Sequence, residues 1–324
     1  MYAKRIFLGL LALVAFDSAQ ASLPGVTVSP EWLQGNSSKV VVLDVRSDLD
    51  AFTRAPEFAT DPATGKKKLI ELGGHIPGAR LVDFGKTRVD RMVEGKKISK
   101  MLPSAEEVSA LMDKLGVNTG NTLVITSQGE SSDDMDMAAR WYWTLKVYGN
   151  HNMALLDGGN AAWVAAGNPV SVDPMGTLAA GDWKASALNN AWLAERTDIH
   201  VGDSKQTLID ARPAPQYLGI IYKKPLVIAP GHIQGAVNFP SDVRLRPVGN
   251  AQRFMSPVEY RAVLRSIDVK PENGSIVYCN TGHIASGAWF VLSEIMGLKN
   301  IRLYDGSMHE WTTLGRPTVS VLTP

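Results

Sequence analysis

The chain has 324 residues, with 33 lysines and arginines against 32 aspartates and glutamates. A formal net charge of +1 leaves no bulk electrostatic reason to bind nucleic acid. One cysteine is present, Cys279, which excludes an internal disulfide and any zinc site built from two or more cysteines.

At the N-terminus, Lys4 and Arg5 precede an apolar stretch from Ile6 to Phe16, and Ala19-Gln20-Ala21 supplies small residues. This is the pattern of a secretory signal over residues 1–21, with Ser22 as the mature start. The apolar stretch is short for a membrane span, and no other segment approaches that length. The expectation is a protein of the bacterial periplasm, free of the membrane once the signal is removed. Losing Lys4, Arg5 and Asp17 leaves the mature chain formally neutral. An oxidising compartment gives the lone thiol weight: it avoids wrong pairings within the chain, yet stays open to oxidation or capping. Such a thiol is expected to be used rather than tolerated.

From residue 22 onward the chain is written twice. Val42-Leu43-Asp44-Val45-Arg46 returns as Leu208-Ile209-Asp210-Ala211-Arg212, and Gly74-His75-Ile76-Pro77-Gly78-Ala79 as Gly231-His232-Ile233-Gln234-Gly235-Ala236. Ser104-Ala105-Glu106-Glu107 matches Ser256-Pro257-Val258-Glu259, and Asp157-Gly158-Gly159 with Trp163 matches Asp305-Gly306-Ser307 with Trp311. The order is kept while loop lengths drift, as in a duplicated unit. Short β-branched runs alternate with amphipathic segments in each copy, which predicts an α/β fold with a largely parallel sheet. A stretch rich in proline and glycine without sustained periodicity, residues 172–187, reads as the linker between domains at 22–171 and 188–324. Lys66-Lys67-Lys68 and Lys96-Lys97 are read as solvated loop charges.

In the second copy, strands are predicted at Thr207 to Ile209, Ala236 to Phe239, Gly274 to Tyr278 and Ile301 to Leu303. Helices are predicted from Pro257 to Ser266, capped by Ser256, and from Ala285 to Met296, stopped at Gly297. Cys279 stands at the strand-to-helix elbow. The equivalent position in the first copy is Ser127, followed by a longer acidic loop with Glu130, Asp133, Asp134 and Asp136.

A lone cysteine is either a small buried hydrophobe or a reactive thiol. An ordinary thiol has a pKa near about 8.5, and the thiolate is the nucleophile. Backbone amides of the turn, opened by Gly282, and the N-terminus of the helix that follows are suited to holding a sulfur anion.

The paired Asp-x-Arg and Gly-His-Ile-x-Gly-Ala motifs, the Tyr278-Cys279 loop and the Asp-Gly motifs followed by tryptophan resemble the tandem-domain rhodaneses, the thiosulfate and 3-mercaptopyruvate sulfurtransferase family. The resemblance spans nearly all of the chain after residue 21. It implies two tandem rhodanese-like domains, each a mainly parallel sheet flanked by helices, with the first non-catalytic. It further implies an enzyme in which Cys279 carries sulfur, as a persulfide, from thiosulfate or 3-mercaptopyruvate to cyanide or a thiol. The active loop falls on Cys279, Asn280, Thr281, Gly282, His283 and Ile284, and the substrate-facing arginine on Arg212. No cofactor or metal is called for; the partners are a small anionic donor and a thiophilic acceptor, and the protein is expected to be a monomer. The alternative is an exported persulfide carrier with little turnover on small donors.

The residues leave several roles open. Arg212 either contacts the donor or forms an ion pair with Asp210 or a loop carboxylate. His283 either contacts the donor and supports the thiolate or faces solvent. His75 and His232, repeated within one motif, read as structural. Asn280-Thr281-Gly282-His283 matches neither the basic pair of thiosulfate-preferring loops nor the Gly-Ser-Gly-like turn of mercaptopyruvate-preferring ones. A phosphatase on this fold needs an arginine six positions after the cysteine, where this chain has Ala285. A metal site from Cys279, His283 and His309 matches no standard spacing.

Overall fold

The structure, a computed structural model, describes residues 21–65, 67–202, 206–271 and 274–322. The segment read as a signal therefore lies outside the described residues, apart from Ala21.

In the first half the chain forms β1 (Thr27–Val28), α1 (Pro30–Asn36), β2 (Val41–Arg46), a hairpin of β3 (Glu57–Thr60) and β4 (Lys67–Glu71), and β5 (Arg80–Asp83). A second hairpin, β6 (Val89–Val93) and β7 (Lys96–Met101), leads into α2 (Ala105–Lys114), β8 (Leu123–Thr126), α3 (Ser132–Val147), β9 (Met153–Leu156) and α4 (Gly159–Ala165). The second half runs β10 (Leu193–Ala194), β11 (Leu208–Asp210), α5 (Ala214–Tyr217) and β12 (Val237–Asn238), then the hairpin β13 (Arg246–Val248) and β14 (Ala251–Arg253). It ends with α6 (Pro257–Ser266), β15 (Ile276–Tyr278), α7 (His283–Trp289), a π-helical turn at Phe290–Ile295, β16 (Arg302–Tyr304) and α8 (Ser307–Thr313).

Five of the first half's strands form one parallel sheet in the order β1-β9-β8-β2-β5, and five of the second half form another in the order β10-β16-β15-β11-β12. The two orders are the same order, so the duplicated motifs do encode a duplicated α/β unit. Strands β8 and β9 are buried at every residue, and β2 at all but its first. Continuous apolar runs of this kind suit parallel strands covered on both faces. The start of α6 is set by a reciprocal cap: Ser256 accepts from the Glu259 amide while the Glu259 carboxylate accepts from the Ser256 amide. Ser104 and Glu107 do the same for α2.

The helix expected after Cys279 is revised by the geometry. The helix after Cys279 begins at His283, two residues before Ala285, because Gly282 adopts φ +71° and turns the chain immediately. It also loses α-helical spacing at Phe290, passing into the π-helical turn before Gly297 at φ +68°. The predicted linker is fastened along the first half: the Gly181 amide donates to Asp113 O at 3.0 Å and the Trp183 amide to Val117 O at 3.0 Å, with the Trp183 ring buried.

Lys96 and Lys97, read as loop charges, lie on β7, and Lys67 and Lys68 on β4; the hairpins β6–β7 and β13–β14, which the sequence pattern does not announce, join the halves. The Leu102 amide, just past β7, donates to Asp305 Oδ2 at 2.6 Å, and Ser99 N–H donates to His309 Nε2 at 3.0 Å. Reciprocally, the Phe254 amide past β14 donates to Asp157 Oδ1 at 2.8 Å, and the Gln252 amide to Gly129 O at 2.8 Å. The aspartates of the two Asp-Gly motifs thus each receive a hairpin from the opposite half. Helices α3 and α7 pack against each other, and the apolar cluster between the sheets, including Trp141, Trp143 and Trp289, takes residues from both halves, while each sheet has a further cluster of its own. Truncating a buried tryptophan of this kind costs about 3–5 kcal/mol.

Asp157→Ala is expected to free the β13–β14 hairpin from the first half. The Phe254 amide is partly buried, so losing its acceptor costs about 1 kcal/mol, the lower end for an unsatisfied group. The loss is read as a lower urea midpoint together with faster amide exchange across residues 246–254.

Candidate active site

Strand β15 delivers Cys279 to the end of the sheet, and the turn to α7 begins there. The thiol is 1% exposed, beneath a cavity of about 210 Å³ whose walls come from both halves. Ser47, Phe84, Arg88, Lys100, Asp133 and Met137 come from the first half; Lys223, Leu226, Asn280, Thr281, His283 and Ile284 come from the second. A larger cleft of about 390 Å³, lined by Asp305, carries no thiol.

The loop itself is braced at both ends by one hydroxyl. Ser307 Oγ accepts from the Cys279 amide at 3.1 Å and from the Gly282 amide at 3.1 Å, and donates to Tyr304 O at 2.8 Å. Those two amides are therefore spent on the serine rather than on the sulfur. Among the described residues, the amides of Asn280, Thr281, His283 and Ile284 have no backbone or side-chain acceptor. They are the ones left to face an anion at Cys279. From the first half, Arg140 donates to Gly282 O at 3.2 Å and pairs with Asp305 Oδ1 at 2.6 Å. The Asn280 amide nitrogen Nδ2 donates to Gln216 Oε1 at 2.7 Å, and the Asn280 carbonyl accepts from the His309 amide at 2.8 Å.

Gly282 fits because nothing larger does. A Cβ there would lie 2.5 Å from Arg140 Nη1 and 2.8 Å from Asp305 Oδ1, on a left-handed backbone. In the Asp-Gly motif the first half has Gly159 at φ +59° where the second has Ser307 at φ +50°. A serine held in that conformation is strained, and the two loop hydrogen bonds are what it supports.

The structure brings Cys279, Asn280, Thr281, His283 and Ile284 to the cavity and places Gly282 beneath it. Arg212 is elsewhere. Its guanidinium is fully buried, donating from Nε to Asp210 Oδ1 at 2.9 Å and from Nη2 to Asp210 Oδ2 at 2.6 Å and Gly231 O at 2.8 Å. Arg46 makes the same bonds to Asp44 and Gly74 O in the thiol-free half. The Asp-x-Arg motif is a brace that ties the strand end to the glycine-histidine turn, so the expectation that Arg212 faces the donor is corrected. The cations of the cavity are Arg88, Lys100 and Lys223.

Arg88 lies over the Phe84 ring, 3.8 Å from its centroid, with Nε buried and without a partner among the described residues. Burial and the nearby Arg140 bring its pKa down to about 10, so it remains a cation at neutral pH. Burial, with Arg88 and Lys223 alongside, holds Lys100 below the usual lysine range. His283 lies close to the Phe84 ring, and its Nε2 is 3.3 Å from Asp133 O. Burial, then Arg88 and Arg140, push its pKa well below 6.5. It is neutral at pH 7 and supplies a hydrogen bond rather than a charge. His75 stacks on Phe52 at 3.6 Å and bonds to Phe52 O, while His232 stacks on Tyr217 at 3.9 Å and bonds to Tyr217 O. Neither lines the cavity. His309 has both ring nitrogens engaged, with Leu226 O at 2.6 Å and the Ser99 amide.

Comparison with known proteins agrees with this architecture. The rhodanese-like domain family matches twice, at residues 29–166 and 191–314. The chain belongs to the rhodanese family of sulfurtransferases, in its two-domain form. The sulfur carrier protein TtuD of Thermus thermophilus is 29% identical over 303 residues, covering 90% of this chain and 95% of its own. A thiosulfate sulfurtransferase of Corynebacterium glutamicum is 28% identical over 252 residues, covering 75% and 78%. Among solved structures, the 3-mercaptopyruvate enzyme SseA of Escherichia coli superposes with a TM-score of 0.68 at 24% identity, over 87% of this chain and 98% of its own. An anaerobic ergothioneine biosynthesis enzyme from Chlorobium limicola shares the fold with a TM-score of 0.73 at 19% identity, over 91% and 70%.

Gly282→Ala is expected to displace the loop, with the left-handed backbone alone costing about 1–3 kcal/mol. Both the melting temperature and the alkylation rate of Cys279 should change. For His283 the sign of the pH effect follows from its depressed pKa: the unfolded chain binds the proton more readily. Its stabilising contribution is complete above about pH 6.5 and is lost as pH falls below that. Urea midpoints measured at several pH values between 8 and 5 should therefore fall less steeply in His283→Gln than in the wild type.

Proposed function

We propose that this protein moves a sulfane sulfur from a small anionic donor to a thiophilic acceptor through a persulfide on Cys279. The observation that carries the reading is the single thiol at the base of a cavity walled by Arg88, Lys100 and Lys223, with unspent loop amides around it. The thiolate attacks the outer sulfur of the donor. With thiosulfate the sulfur–sulfur bond breaks and its electron pair leaves on sulfite. With 3-mercaptopyruvate the carbon–sulfur bond breaks and the enolate takes up a proton to give pyruvate. Cyanide or a thiol then takes the terminal sulfur and returns the thiolate, a two-stage cycle.

A carrier role is a second reading, favoured by the resemblance to TtuD across 90% of the chain. It uses the same persulfide and differs only in turnover. We further propose that the protein works as an exported monomer, supported by the signal-like pattern of residues 1–21 and by the lone cysteine.

Incubation with thiosulfate or 3-mercaptopyruvate should raise the intact mass by one sulfur atom, and Cys279→Ser should not respond. Steady thiocyanate formation with cyanide supports the enzyme. A loaded protein that turns over only when a protein acceptor is added supports the carrier. An unchanged mass and no thiocyanate with both donors overturn the small-donor enzyme and favour the carrier, which is loaded by a partner's persulfide.

A further inference from the structure

Each half closes the 3-10 turn after one edge strand of its sheet, β5 or β12, on an arginine: Arg88 follows Phe84–Thr87, and Arg244 follows Ser241–Val243. The helices that face these arginines are in register. Trp141 and Trp289, Asp157 and Asp305, and Trp163 and Trp311 are each 148 positions apart, which sets Asp136 of α3 equivalent to Ile284 of α7. In one of the two related places the arginine is neutralised. Arg244 donates to Asp136 Oδ1 at 3.1 Å, to Asp136 Oδ2 at 3.0 Å and to Ile284 O at 2.9 Å, with both side chains buried.

In the other place, beside the thiol, the carboxylate is replaced by an isoleucine. Arg88 and Ile284 line the cavity together, and Arg88 has no carboxylate within 4.0 Å among the described residues. Asp133 lines the same cavity and acts on Arg88 only at longer range, so a largely buried guanidinium with no carboxylate in contact is costly unless an anion comes to it. Its planar fork suits the oxygens of a sulfonate or carboxylate, and Cys279 lies in the same cavity.

Resting on the sulfurtransferase reading, we propose that Arg88, supplied by the non-catalytic half, is the anchor for the oxyanion end of the donor, and that an uncharged residue 284 keeps it available. The duplication has divided one arrangement into two: a closed ion pair at Asp136 and Arg244, and an open cation at Ile284 and Arg88. Lys100 and Lys223 add charge at the same cavity, so the loop's missing basic pair is replaced from outside the loop.

The test measures anion binding apart from chemistry. On a Cys279→Ser background, thiosulfate is titrated by calorimetry into the parent and into chains that add Arg88→Met, Arg88→Lys, Ile284→Asp or Ile284→Asn, each first checked for cooperative melting. Removing one member of a buried charged contact weakens binding on the order of tenfold to a hundredfold. Arg88→Met and Ile284→Asp should both show that loss, Arg88→Lys should recover part of it, and Ile284→Asn should lose less than Ile284→Asp. In the Cys279 protein the same substitutions should raise KM for thiosulfate and for 3-mercaptopyruvate more than they lower kcat. Parent-like affinity in both Arg88→Met and Ile284→Asp overturns the anchor, whatever the turnover. If binding depends on Arg88 while the Cys279 protein takes up no sulfur, the anchor stands and the sulfurtransferase reading falls.

Discussion

Arg140 is the contact on which the rest of the site depends. It rises from α3 of the first half, fully buried, pairs with Asp305 of the second half and donates to the carbonyl of Gly282 inside the thiol loop. The other oxygen of Asp305 accepts the amide of Leu102, where the β6–β7 hairpin ends. Loop, hairpin and helix therefore share one buried polar joint. Removing one partner of such a pair leaves an uncompensated charge and costs about 3–5 kcal/mol. The cavity over Cys279 has that joint beneath it and takes its walls from both halves, so the half without a thiol is a structural part of the site.

A duplicated fold starts with two equivalent sites, and here a few positions separate them. Ser127 stands where the second half has Cys279, Gly159 where it has Ser307, and Asp136 where it has Ile284. In the proposed chemistry Cys279 is the nucleophile, Ser307 ties the two ends of its loop, and Ile284 leaves Arg88 without a carboxylate in contact. In the first half Asp136 instead closes a buried ion pair with Arg244 of the second half. What remained common to both halves, the Asp-x-Arg brace and the stacked histidines, is the part that holds each sheet end together.

Much of this was legible in the chain. Repeated motifs carry the duplicated α/β unit because their residues have local jobs: capping serines, strand-end aspartate–arginine pairs and glycines that turn the backbone. The thiol at the strand-to-helix elbow was visible for the same reason. The hairpins were not, since charged strands such as Lys96–Met101 have no apolar face to betray them and are held by contacts more than two hundred positions away. Arg88, Lys100 and Lys223 were missed because a cavity assembled from a turn, a hairpin strand and a loop far apart in the chain leaves no spacing to read. Arg212 was misplaced because a strand-end arginine beside an aspartate reads equally as a ligand contact and as a brace, and only the bonds to Asp210 and Gly231 O decide it.

The central claim is that sulfur is carried on Cys279 and on no other residue. Its most direct measurement is peptide mapping of the full-length protein after brief exposure to donor and alkylation of the terminal sulfur. The account predicts the alkylated persulfide on the peptide that contains Cys279, in proportion to the pyruvate or sulfite released. Donor consumption with that peptide unmodified would contradict it.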